Sequence, residues 1–110
     1  MRHYGENHVA TLTADSSLAT LALTRGDLAQ AEILRRENLR DFQQIEEGGF
    51  NHIWAVFHLA KVKLARGEVT EAETLFAQAL EMGREQWGAD NFQFERLVRD
   101  ISQSRTTATN

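Results

Sequence analysis

The chain has 110 residues, a formal charge of −4 at pH 7, and neither cysteine nor proline. That is one domain's worth of material, and it excludes disulfides, thiolate metal sites and a cysteine nucleophile. With 42% hydrophobic and 25% charged residues and no basic stripe to neutralise phosphates, the composition predicts an all-α protein with no direct nucleic-acid partner.

No apolar run approaches the roughly 20 residues that a spanning helix needs. The first residues also lack the charged, apolar and small-residue order of an export signal, so the expected location is cytoplasmic, without membrane contact.

The first predicted helix places Ala14, Leu18, Leu21 and Ala22 on one face, and Val9 and Ala10 extend that face toward a start near Asn7. Asp15-Ser16-Ser17 could instead cap a helix that begins at Ser17; the longer helix keeps the apolar face continuous. Arg25-Gly26-Asp27 reads as a stop followed by a start, because glycine accepts the left-handed conformation past a helix end and Asp27 can cap the next helix.

A second helix is expected from about Asp27 to Ile45, ended by Gly48-Gly49. A third begins near Asn51 and carries Ile53, Trp54, Val56, Phe57, Leu59, Ala60, Val62 and Leu64. Apolar around most of its circumference, it is the expected central helix. A fourth starts between Val69 and Thr70, with Thr70 and Glu73 as a capping box, and continues to about Gln86 before Gly88. Asp90 with Gln93 opens a fifth, whose Phe92, Phe94, Leu97, Val98 and Ile101 would cover the open end of the stack. Apolar periodicity stops at Ser104, which predicts one domain over residues 1–104 and a disordered tail over 105–110.

The chain also repeats itself. Leu18, Ala19, Leu23, Arg25, Gly26, Ala31, Glu32, Leu34 and Leu39 recur 41 residues later as Leu59, Ala60, Leu64, Arg66, Gly67, Ala72, Glu73, Leu75 and Leu80. Self-similarity of this length is the mark of stacked helical hairpins, each leaving an apolar face for its neighbour to cover.

The order Leu18-Ala19, Gly26-Asp27-Leu28, Ala31, Leu39, repeated as Leu59-Ala60, Gly67-Glu68-Val69, Ala72, Phe76, Ala79, Leu80, resembles the tetratricopeptide repeat. The spacing of 41 exceeds the roughly 34 residues of the standard unit, and Trp87-Gly88-Ala89-Asp90-Asn91 echoes Tyr4-Gly5-Glu6-Asn7-His8. Units of this length are similar to those of the kinesin light chain and of the C-terminal helical arms of bacterial regulators related to the maltose activator. In those regulators the arm senses a protein or small inducer. The chain departs from the pattern at Arg35 and Asn38, where an aromatic and an alanine are preferred.

The resemblance implies a right-handed antiparallel stack of two hairpins plus a C-terminal capping helix, with the first helix of each unit lining a concave groove. Aligned on Gly26 and Gly67, the groove residues are Thr13, Ser16, Thr20 and Thr24 from the first unit and Trp54, Phe57, Lys61 and Ala65 from the second. Such a groove suits a peptide whose backbone meets the hydroxyls, whose side chain packs on the indole and whose carboxylate meets Lys61. The implied function is a non-catalytic protein–protein or ligand-sensing scaffold that needs no cofactor. Against it stands burial of Trp54 and Phe57 as core, or their coverage by the N-terminal segment or a second copy. A structural alternative is a homodimer joined through the open ends of the short array, with Phe92 and Phe94 at the contact.

Enzyme chemistry finds no constellation. His3, His8, His52 and His58 lack ligand spacing on a helix, which argues against metal. Ser16 and Ser17 have no adjacent histidine and acid, and Gly48-Gly49 lacks the lysine and hydroxyl of a phosphate loop. Glu46-Glu47 reads as a solvated face, and Arg25-Gly26-Asp27 as a turn that recurs at Arg66-Gly67-Glu68.

Overall fold

The computed structural model describes residues 21–46 and 48–109, with side chains to residue 106. Every regular element among them is a helix: α1 (Leu28–Glu46), α2 (Phe50–Ala65), α3 (Val69–Trp87) and α4 (Phe92–Thr109). These are the second to fifth helices of the sequence reading, and residues 21–24 form the helical end that precedes them. None of the described helices is long and apolar enough to cross a membrane.

The repeated glycine turns fold alike. Gly26, at φ 81°, follows a helix end in which Asp27 N–H donates to Ala22 O at 2.9 Å and Gly26 N–H to Leu23 O at 3.1 Å. At Gly67, φ 82°, Glu68 N–H donates to Lys63 O at 2.9 Å and Gly67 N–H to Leu64 O at 3.0 Å. This double bond around a left-handed glycine satisfies the last carbonyls of each helix, and a side chain at either position would be strained.

The caps depart from expectation at two helices. Asp27 does cap α1, its Oδ1 accepting from Gln30 N–H at 3.2 Å. The expected Thr70–Glu73 box does not form. Thr70 lies inside α3, where its carbonyl accepts from the Thr74 hydroxyl, and Glu73 turns outward to Arg105. At α4 the cap is Asn91 rather than Asp90, with Asn91 Oδ1 accepting from Gln93 N–H at 2.8 Å.

Helix α2 packs on α1, α3 and α4 and holds the centre of the core, as its all-round apolar sequence predicts. Ile53, Val56 and Ala60 from α2 meet Ala72, Phe76 and Ala79 from α3, and Leu97 and Ile101 from α4. Burial of a side chain the size of Phe76 contributes on the order of 1.5–3 kcal/mol. Gly83 brings α3 close to α4: a Cβ there would stand 3.3 Å from atoms of Phe94, Leu97 and Trp87.

Two ion-pair clamps, one per repeat, fix the antiparallel order. Glu32, near the start of α1, accepts from Lys63 and Arg66 at the end of α2, both at 3.2 Å. Its counterpart Glu73, near the start of α3, receives a two-pronged bond from Arg105 near the end of α4, at 2.7 and 2.9 Å. Lys63 also reaches Glu68 at 3.1 Å and Glu71 at 3.0 Å. Burial alone would lower the pKa of this ammonium, but hydrogen bonds to Glu71, Glu68 and Glu32 outweigh it and leave the pKa raised. For Glu32 burial acts upward, and Arg36 and Lys63 together bring its pKa below the usual carboxylate range.

The second clamp also accounts for a difference at the C-terminus. Helix α4 continues to Thr109 instead of ending near Ser104. Arg105 is anchored on α3, and the Ser104 and Thr106 hydroxyls bond back to the Asp100 and Ser102 carbonyls. These contacts hold the last turns without an apolar stripe.

Candidate functional site

Helices α2 and α4 start side by side. Near the first turn of each, the Arg96 guanidinium of α4 lies 5.3 Å from the centre of the Trp54 ring of α2. Since α2 and α4 both run antiparallel to α3, they run parallel to each other, and one stripe of each faces a shared trough. The stripe on α2 is Trp54, Phe57, His58, Lys61, Leu64 and Ala65; on α4 it is Arg96, Asp100, Gln103 and Ser104. Arg35, Asn38 and Phe42 of α1 supply a third stripe. All three follow three- and four-residue spacing, so each wall is one face of one helix. The trough holds an open hollow of about 810 Å³, within the range of small-ligand sites.

Of the predicted groove residues, Trp54, Phe57, Lys61 and Ala65 are brought together on this hollow, but Phe57 is only 3% exposed and belongs to the main core, where its ring packs on Phe76, as the burial alternative expected. Trp54 is half-buried; its ring meets that of Phe57 edge to face at 5.4 Å and 89°. The Lys61 ammonium lies 5.6 Å from the Phe57 ring centre. Thr24 is exposed and does not line the hollow. Thr13, Ser16 and Thr20 lie outside the described residues.

The proposed contact pair separates. Phe92 is 70% exposed and Phe94 only 9%, because Phe94 packs beside Gly83 between α3 and α4. Among the histidines, His3 and His8 lie outside the described residues. His52 is buried and its Nδ1 accepts from Gly48 N–H at 2.8 Å, locking the turn into α2. His58 lines the hollow.

The hollow's polar chemistry was largely hidden in the sequence. Asn38 is 2% exposed, and neither its Oδ1 nor its Nδ2 finds a hydrogen-bond partner; the same holds for the Trp54 indole N–H. A buried polar group without a partner costs about 1–3 kcal/mol, and Asn38 and Trp54 each carry one. Arg35 is 4% exposed, and burial lowers its pKa to about 10, which still leaves it charged at neutral pH. Burial, with Arg35 and Lys61 adding repulsion, drives His58 down to about 3, so its imidazole is neutral between two cations. Asp100 sits 3.9 Å from Arg96, a loose pair on the outer rim.

Beyond Trp54 and Lys61, which the repeat alignment placed, only Arg35 and Asn38 left a trace in the sequence, as the two departures from the repeat pattern. Comparison of the chain with family models, with curated proteins and with solved structures finds no match, so the functional reading rests on this geometry.

Proposed function

We propose that this chain is a non-catalytic recognition module, a short right-handed stack of tetratricopeptide-like hairpins that binds a peptide or other ligand in the trough between α2 and α4. The observation that carries the reading is the hollow of about 810 Å³, with Trp54, Phe57 and Lys61 of α2 on its wall. The repeated turns at Gly26 and Gly67 and the repeated clamps at Glu32 and Glu73 support the hairpin stack.

The test is selection from a random peptide library. Selected peptides are then titrated against the parent protein and against Trp54→Ala and Lys61→Glu. Binding falls by roughly ten-fold or more in each variant, with helicity by circular dichroism unchanged. Peptides that bind both variants as well as the parent would overturn the reading.

A further inference from the structure

We infer that Asp15 pairs with the buried Arg35, and that this ion pair seats the chain's first helix against α1 as the wall of the trough opposite α4. The inference rests on the hairpin stack of the reading above and not on the ligand that the trough takes. Asp15 lies outside the described residues, so its place is assigned through the repeat.

The two hairpins turn alike. Gly26 and Gly67 stand at φ 81° and 82°, and the bonds from Asp27 N–H to Ala22 O and from Glu68 N–H to Lys63 O are both 2.9 Å. Matching turns send the first helix back along α1 as α2 runs back along α3. Its last turn follows that course. Ala22 is buried with Ala31 of α1 and Val62 of α2, and Leu23 lines the trough as its counterpart Leu64 does. Followed back for about two turns, the same helix brings Asp15 to the middle of α1, where Arg35 and Asn38 lie.

The chemistry agrees with this register. In the second repeat, Val56 of α2 and Phe76 of α3 are both 0% exposed and share one core. Their counterparts 41 residues earlier are Asp15 and Arg35. Two apolar groups on facing helices are thus replaced together, and by opposite charges. Arg35 is 4% exposed and keeps its charge at neutral pH; a charge buried that deeply calls for a counter-charge. Asp15 is the only acid of the predicted first helix, Asn7 to Thr24. A helix slid by one turn would separate the two charges, so the pair fixes the register of the first hairpin where the second uses apolar packing. In that register Thr13 and Thr20, the counterparts of Trp54 and Lys61, share a stripe with Leu23. A ligand in the trough then meets hydroxyls on one side and Arg96 and Gln103 of α4 on the other.

The experiment is urea unfolding of the full chain, its Asp15→Val and Arg35→Phe variants, and the double variant that installs the second repeat's own pair. Each single substitution leaves one buried charge without the other and should raise the unfolding equilibrium constant roughly ten-fold or more. The double variant should return to the parent's midpoint or exceed it. If Arg35→Phe alone does not fold, recovery of a folded protein in the double variant is the expected result in its strongest form. Losses that simply add, an Asp15→Val variant as stable as the parent, or a double variant that fails to fold would each overturn the inference. Peptides selected through Trp54 keep the recognition reading whichever way this cycle falls. Peptides indifferent to Trp54→Ala would remove that reading and leave the coupling of Asp15 to Arg35 in place.

Discussion

Helices α1 and α3 hold equivalent places in the two repeated units, and they treat equivalent positions in opposite ways. In α3, Phe76 and Ala79 are fully buried and belong to the main core. Their counterparts 41 residues earlier are Arg35 and Asn38, just as buried at 4% and 2% exposure but lining a cavity. One helix closes its interior with apolar side chains; the other keeps a cation and an amide there. Burial alone does not separate core from site. What separates them is whether the buried group is apolar, since burying a polar group lowers stability where burying an apolar one adds to it.

The sharpest way to break this contrast is to truncate both sides of it. Phe76→Ala should destabilise by about 3–5 kcal/mol, the cost of emptying a packed aromatic site. Asn38→Ala should change stability by no more than about 1 kcal/mol, because it removes an amide that has no partner to lose. Urea unfolding of the two variants measures both. A large loss in Asn38→Ala would show that Asn38 supports the fold as Phe76 does.

A smaller effect is expected at the clamp that the repeats share. Lys63→Met leaves Glu32, Glu68 and Glu71 facing one another without their common partner. The expected loss is about 1–3 kcal/mol, between the values for exposed and buried pairs, since Glu71 is largely in water. The loss should shrink at acid pH. Glu32 has a lowered native pKa, so its contribution is present above the unfolded carboxylate pKa of 4.5 and disappears as pH falls through the native value. An identical loss at pH 7 and pH 3 would contradict the assignment of the clamp.

The mildest test concerns His58. Its native pKa of about 3 lies below the unfolded value of 6.5. Between those values the unfolded chain binds a proton that the native chain does not, so stability declines as pH is lowered from 6.5. The slope approaches 1.4 kcal/mol per pH unit at most, and water in the open hollow reduces it. His58→Gln should flatten this part of the urea-midpoint profile between pH 6 and pH 4. A profile that is the same in both proteins would place His58 in solvent rather than between Arg35 and Lys61.

Much of the helical architecture was legible in the sequence because its signals are local. Three- and four-residue apolar spacing marked α1 to α4, and the glycine turns at Gly26 and Gly67 announced their own helix ends. The misplaced caps at Thr70 and Asp90 show the limit of that reading: several polar residues near a helix start can serve, and tertiary partners such as Arg105 decide which does. The trough is assembled from single stripes on three helices, one of which, α4, is distant from the other two in the chain. Trp54, Phe57 and Lys61 could be aligned through the repeat. His58, Arg96 and Asp100 gave no signal, because charges that face a hollow and charges that face water look alike in one dimension.

Trp54 borders an open hollow that Lys61 and Arg96 also line, and its exposure to that hollow can be tested without knowing the ligand. The chain has two tryptophans, so a Trp87→Phe variant leaves Trp54 as the only indole to fluoresce. At constant ionic strength, iodide should quench this emission more strongly than caesium, and Lys61→Glu should reduce or reverse the difference. Emission that neither ion reaches, or stronger quenching by caesium in the Lys61-containing protein, would contradict the account.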